Sequence, residues 1–123
     1  MRILADTHVL LWWLGDDPRL PDRHRTSLSD GATEVLYSAV SIAEIAIKTS
    51  LGKLVAPADL VRALDDEGFT PLPLRPAHAA ALRDLPWHHR DPFDRMLVAQ
   101  AMVEDVALAS VDARVAAYDV RIV

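Results

Sequence analysis

HHRDPFDRMLVAQA, residues 88–101, decides how the rest of the chain is read. Pro92 suits the first position of a helix, because its ring presets φ and its missing N–H is one that a helix start leaves unpaired. Asp91 is then the natural N-cap. Asp94, three residues on, shares a face with it once the first turn is helical. Behind them Phe93, Leu97 and Ala101, with Met96 and Val98 alongside, recur at the spacing of a helix packed into a core. Two carboxylates therefore stand at the mouth of a buried helix. Taken alone, the pair is also what ordinary capping requires, since the helix dipole favours acids in a first turn.

Outward from this helix, short apolar runs alternate with amphipathic segments. Residues 2–5, RILA, end in Asp6-Thr7 and lead into HVLLWWL, a helix with apolar residues on more than one face. Gly15-Asp16-Asp17-Pro18 stops it, and residues 19–30 are polar and locally basic, as in a short surface helix. EVLYS, 34–38, reads as a strand. It feeds a helix in which Ile42, Ile45, Ala46 and Thr49 repeat, Glu44 pairs with Lys48, and Gly52 ends the run. Residues 57–67 give a further short helix closed by Gly68. Residues 69–74 are extended, but Pro71 and Pro73 confine them to a sheet edge. An alanine-rich helix over 76–85 precedes the central one. After it come a strand at 106–109, a short helix from Asp112 through Ala117, and a final strand at 120–123. Strands alternating with helices predict an α/β protein, a parallel sheet with helices on its faces. No repeat, linker or low-complexity stretch interrupts the 123 residues, which are expected to form one domain over 1–123.

Half of the residues are hydrophobic, so a packed core is expected rather than disorder. The absence of cysteine excludes disulfides and thiolate metal sites and fits a reducing cytosol. MRILAD is neither a signal peptide nor a membrane span, so a cytoplasmic protein is expected. The formal charge, 13 − 18 = −5, argues against a protein that coats nucleic acid with cations. Setting aside Asp6, Glu44, Asp91, Asp94 and Asp112 leaves 13 − 13 = 0, so the acidity can be local.

Those five acids fall where the predicted strands end. Asp6 follows the first strand, Glu44 lies in the first turn of the helix after the second, Asp91 and Asp94 open the long helix, and Asp112 follows the strand at 106–109. In open α/β sheets, ligands bind outside the carboxyl ends of the strands. Each acid has a capping explanation: Asp6 and Asp112 as N-caps, Ser41-x-x-Glu44 as a capping box. Acids recurring at one edge need more, because crowded carboxylates repel unless protonated or joined by a cation. Oxygen ligands without cysteine favour Mg²⁺ or Mn²⁺, and such a site suits phosphodiester hydrolysis. His88 and His89 are adjacent and read as loop or supporting residues rather than ligands, and His8 as a packing or capping residue. The chain has no Gly-rich phosphate loop, G-x-S-x-G or H-E-x-x-H. Asp6-Thr7-His8 lacks the Asp-x-Asp of haloacid-dehalogenase-type phosphatases, and no lysine follows Lys53 as a response-regulator receiver would need. A non-catalytic protein-binding module, its acids serving only as caps, stays open as the alternative.

Together and in order, ADTHVLLWWL, SAVSIAEIAIKTSLGKL, HHRDPFDRMLVAQA and SVDARVAAYDV closely resemble a PIN-domain toxin of the VapC type over nearly the whole chain. The resemblance implies a three-layer α/β/α sandwich on a mostly parallel sheet. It implies an endoribonuclease needing Mg²⁺ or Mn²⁺, the toxin of a type II toxin–antitoxin system, inhibited by a cognate antitoxin and commonly a homodimer. Its acids map onto Asp6, Glu44, Asp94 and Asp112 as metal ligands, with Asp91 an additional carboxylate. Thr7, Ser41 and Ser110 resemble the family's small hydroxyl residues that orient acids or water. Arg19, Arg23, Arg25, Lys48, Arg90 and Arg95 are the cations available to grip RNA, with the reaction leaving a 5′-phosphate and a 3′-hydroxyl. Trp12 and Trp13, with Leu10 to Leu14, offer a surface for the antitoxin or, equally, core packing.

Overall fold

The computed structural model describes residues 1–123. Four strands, β1 (Arg2–Ala5), β2 (Glu34–Ser38), β3 (Thr70–Leu72) and β4 (Ala107–Ala109), form one sheet in the order β3-β2-β1-β4. Every pairing is parallel. The helices are α1 (Thr7–Leu14), α2 (Asp22–Ser29), α3 (Ala39–Ser50), α4 (Leu60–Asp66), α5 (Pro76–Ala81), α6 (Pro92–Glu104) and α7 (Ala113–Ala116), with a 3₁₀ turn at Leu82–Asp84.

The two-residue period of a strand divides the core into two. Leu4, Leu36 and Leu108 face one way and pack with Val40 of α3, Leu97, Val98 and Ala101 of α6, and Val115 of α7. Ile3, Ala5, Val35, Tyr37 and Ala109 face the other way, onto Val9 and Leu10 of α1, Leu28 of α2 and Leu64 of α4. The result is the expected α/β/α arrangement with a buried parallel sheet. Each strand is therefore nearly all apolar rather than alternating. Gly52 and Gly68 follow α3 and α4 with φ of +71° and +79°, the left-handed geometry that ends a helix.

Three local expectations change. Residues 120–123 are not a strand: Val120 N–H turns back onto Tyr118 O at 2.8 Å, and only Ile122 bridges to Leu108. The basic segment after Pro18 becomes helical only at Asp22. Finally, α3 starts earlier than expected, capped by Ser38, whose Oγ accepts from Val40 N–H at 2.9 Å. Ser41 is therefore inside the helix, Glu44 lies in its second turn, and no Ser41–Glu44 capping box exists.

Candidate active site

The sheet order places β2 on one side of β1 and β4 on the other, so the chain leaves neighbouring strands in opposite directions at the β1–β4 edge. A crevice opens at such a switch point, beyond the carboxyl ends of the strands. Here it is an open cavity of about 460 Å³, and its lining includes Asp6, Glu44, Asp91, Asp94 and Asp112. His8, His89, Lys48, Arg90 and Arg114 complete its polar wall, and Val111 is the only apolar member. All five sequence-derived acids thus meet in one place.

Three of them are also caps. Asp6 Oδ1 accepts from Val9 N–H at 3.0 Å, Asp91 Oδ1 from Asp94 N–H at 3.0 Å, and Asp112 Oδ1 from Arg114 N–H at 2.8 Å. Capping uses one oxygen and aims the carboxylate at the helix mouth, leaving the second oxygen for the cavity. Glu44 and Asp94 cap nothing. Glu44 is buried; Thr7 Oγ1 lies 2.8 Å from its Oε1 and 2.9 Å from Ser41 Oγ. With one hydroxyl proton, Thr7 donates to the carboxylate and accepts from Ser41. Lys48 Nζ ion-pairs with Glu44 Oε2, and this bond raises the lysine pKa. Ser110 Oγ accepts from Asp112 N–H at 3.1 Å and hydrogen-bonds the Asp6 carboxyl, linking acids that follow β1 and β4.

Crowding shows in the protonation equilibria. Burial raises the pKa of Asp6 against the bonds from Ser110 and Val9. Asp94 is pushed up to about 6, first by burial, then by the charge of Asp91 and, further off, those of Glu44 and Asp6; His89 opposes them. Asp112 ends below the usual range: burial would raise it, but hydrogen bonds from Arg114 and His89 win.

His89 is the residue that sequence reading undervalued. Its Nε2 lies 2.9 Å from Asp94 Oδ2 and 3.1 Å from Asp112 Oδ2. These three side chains bring ligand-type atoms within 4.8 Å of one another. The tautomer decides its role. Asp91 N–H donates to Nδ1 at 3.1 Å, so the ring proton sits on Nε2 and points between the two carboxylates. His89 is therefore a donor that holds Asp94 and Asp112 together, and the oxygens are the hard donor set. Four or more carboxylates against few cations fit a divalent hard ion, which Asp6, Glu44, Asp94 and Asp112 can supply with oxygen ligands.

The cation expectations divide. Lys48 and Arg90 line the cavity. Arg114, which sequence reading omitted, lines it too and pairs with Asp112 at 3.2 Å. Arg19 and Arg25 are ion-paired with Asp17 and Asp16 and, like Arg23, do not line it. Arg95 is a correction: it is 4% exposed, and its guanidinium donates to Pro86 O, Leu85 O and Tyr118 Oη at 2.7, 3.1 and 3.0 Å. It braces the loop before α6, lies against Trp87 and does not line the acidic cavity. Trp12 and Trp13 are half-buried, each with one side in the α1 packing.

A parallel sheet covered on both faces, with an acidic cavity at the carboxyl ends of β1, β2 and β4, defines an α/β protein whose carboxylates gather in one crevice that could hold a divalent cation. The chain belongs to the PIN-domain family, whose profile matches residues 3–121, and PIN domains are generally nucleases. Its fold is similar to VapBC2 from Rickettsia felis, solved with a DNA fragment from its promoter: 12% identity, TM-score 0.73, covering 100% of this chain and 98% of that one. FitAcB from Neisseria gonorrhoeae is 21% identical with a TM-score of 0.60, covering 98% of this chain and 95% of that one. FitAB bound to an IR36 DNA fragment is 19% identical with a TM-score of 0.63, covering 98% and 93%. At these identities the likeness concerns the fold. No curated protein matches the chain in sequence.

Proposed function

We propose that this chain is a Mg²⁺- or Mn²⁺-dependent endoribonuclease, the toxin of a type II toxin–antitoxin pair, acting in the cytoplasm. One observation carries the nuclease reading: Glu44 and Asp94 cap no helix, yet face the same cavity as the three caps. A set of helix caps alone does not call for them, which disfavours the non-catalytic module.

Asp6, Glu44, Asp94 and Asp112 would hold the cation, which when bound would polarise a phosphoryl oxygen and acidify a water. Thr7 and Ser41 fix Glu44, Ser110 couples Asp6 to Asp112, and His89 sets the spacing of Asp94 and Asp112. Lys48, Arg90 and Arg114 give a strand phosphate partners at the rim of a pocket that otherwise repels it. Water attacks phosphorus, the P–O3′ bond breaks, and the products carry a 5′-phosphate and a 3′-hydroxyl.

The antitoxin partner is supported by the toxin–antitoxin structures this fold resembles. A second groove of about 550 Å³, lined by Leu11, Trp12 and Leu14 with residues 54–57, adjoins the acidic cavity at His8 and offers it an apolar seat. A homodimer is the assembly proposed for the toxin. The test is incubation of total RNA with purified protein in Mg²⁺ or Mn²⁺, with mapping of the ends. Discrete cuts bearing 5′-phosphates, absent with EDTA, are expected; cuts that persist in EDTA, or no protein-dependent cuts, overturn the reading.

A further inference from the structure

We propose that the open face of Trp87 is a stacking platform for an unpaired nucleobase of the strand whose phosphate enters the acidic cavity. The idea rests on the nuclease reading and adds a base subsite to it. Trp87 is 75% exposed, although tryptophan is highly buried on average. The ring is not loose. The Arg95 guanidinium lies 3.7 Å from its centroid, stacked on one face, and Arg95 is itself anchored by the Leu85 and Pro86 carbonyls and the Tyr118 hydroxyl. One side of the indole is therefore backed by a buried cation, and the other side is pre-oriented toward solvent.

Charge identifies the occupant. The shallow cavity of about 400 Å³ beside Trp87 is lined by Arg83, Arg90 and Arg95 and by no acid, in a chain whose net charge is −5. Arg90 also lines the acidic cavity, so one side chain joins the two. A single-stranded nucleic acid repeats a phosphate and a π-face at every nucleotide, which suits a cation beside an open aromatic ring. Stacking is sequence-tolerant, because every base has such a face.

The experiment uses the full chain carrying Asp94→Asn, so that RNA is bound without being cut, and an oligoadenylate of about twelve nucleotides, within the span that such platforms cover. The emission difference between this protein and its Trp87→Phe derivative isolates Trp87. Oligoadenylate is expected to quench it, and an abasic strand of equal length to leave it unchanged. Trp87→Ala and Trp87→Leu should weaken binding about tenfold, while Trp87→Phe keeps most of it. In the active chain the loss falls in KM for RNA rather than in kcat. Should the alanine variant not fold, the leucine and phenylalanine variants still decide. Binding without quenching, equal quenching by the abasic strand, or undiminished binding by Trp87→Leu overturns the proposal. So does quenching by a protein partner with none by oligoadenylate. A wild-type chain that cuts no RNA sinks the nuclease reading, while the quench still settles the platform.

Discussion

Thr7 Oγ1 donates to Glu44 Oε1 across 2.8 Å, joining the residue after the first strand's acid to the acid of the helix that follows the second strand. The two positions are 37 residues apart, and the bond is buried. Thr7→Val keeps the shape and removes the donor, leaving the Glu44 carboxylate a partner short. We expect a fall of about tenfold in RNA cleavage, the lower end of what orienting partners cost. About 1–2 kcal/mol of stability goes with it. Thr7→Ser should restore most of both, which single-turnover kinetics and urea unfolding will read.

Asp94→Asn and Asp6→Asn remove proposed ligands rather than their supports. Each should lower cleavage by at least about 100-fold, beyond the range for orienting residues. Far-UV circular dichroism should show the fold retained, since Asp94 caps no helix and asparagine at position 6 still caps α1.

The pH dependence of the metal-free protein follows from Asp94. Its ordinary pKa is 3.8 and its folded value is about 6, raised by burial and by Asp91. A raised folded value means the protonated acid favours folding: that contribution is full below the unfolded pKa and is lost as pH rises through about 6. In EDTA, the wild type should therefore lose stability against Asp94→Asn between about pH 4 and 7, by about 1–2 kcal/mol. Denaturant titrations at intervals of pH check the slope.

Arg95 makes a contrasting prediction. Arg95→Lys keeps the charge but cannot reach two carbonyls and a phenol with one planar fork. It should cost about 3 kcal/mol in chemical denaturation, as for a buried charge stripped of its partners. Because the same guanidinium backs Trp87, the protein that does fold should show a raised KM for RNA with kcat kept.

The α/β fold and the edge on which the acids gather were legible in the sequence because strand ends and caps are local signals. Pro92 fixed the start of α6, and Asp91 and Asp94 followed from it. The turn of α3 that holds Glu44 is ambiguous in sequence because Ser38 and Ser41 both suit a cap, and only the end of β2 chooses Ser38. Nothing local marks Arg95 as buried, because sequence does not reveal that the loop ahead of α6 folds its carbonyls over the guanidinium. His89 acts through Asp94 and Asp112, carboxylates brought from separate segments, which no spacing rule encodes, whereas Arg114 reaches the cavity through Asp112 two residues before it. Residues 120–123 have strand composition, but the turn at Tyr118 leaves one residue to pair.

A calorimetric titration of Mn²⁺ into the wild-type chain and into Asp94→Asn and Asp112→Asn, at neutral pH, bears most directly on whether these carboxylates form one cation site. The wild type should bind Mn²⁺ and release protons, because Asp94 begins partly protonated. Each variant should bind about tenfold or more weakly. Equal affinity in wild type and variants, or no uptake by the wild type at about millimolar Mn²⁺, a concentration typical of weak sites, would contradict the account.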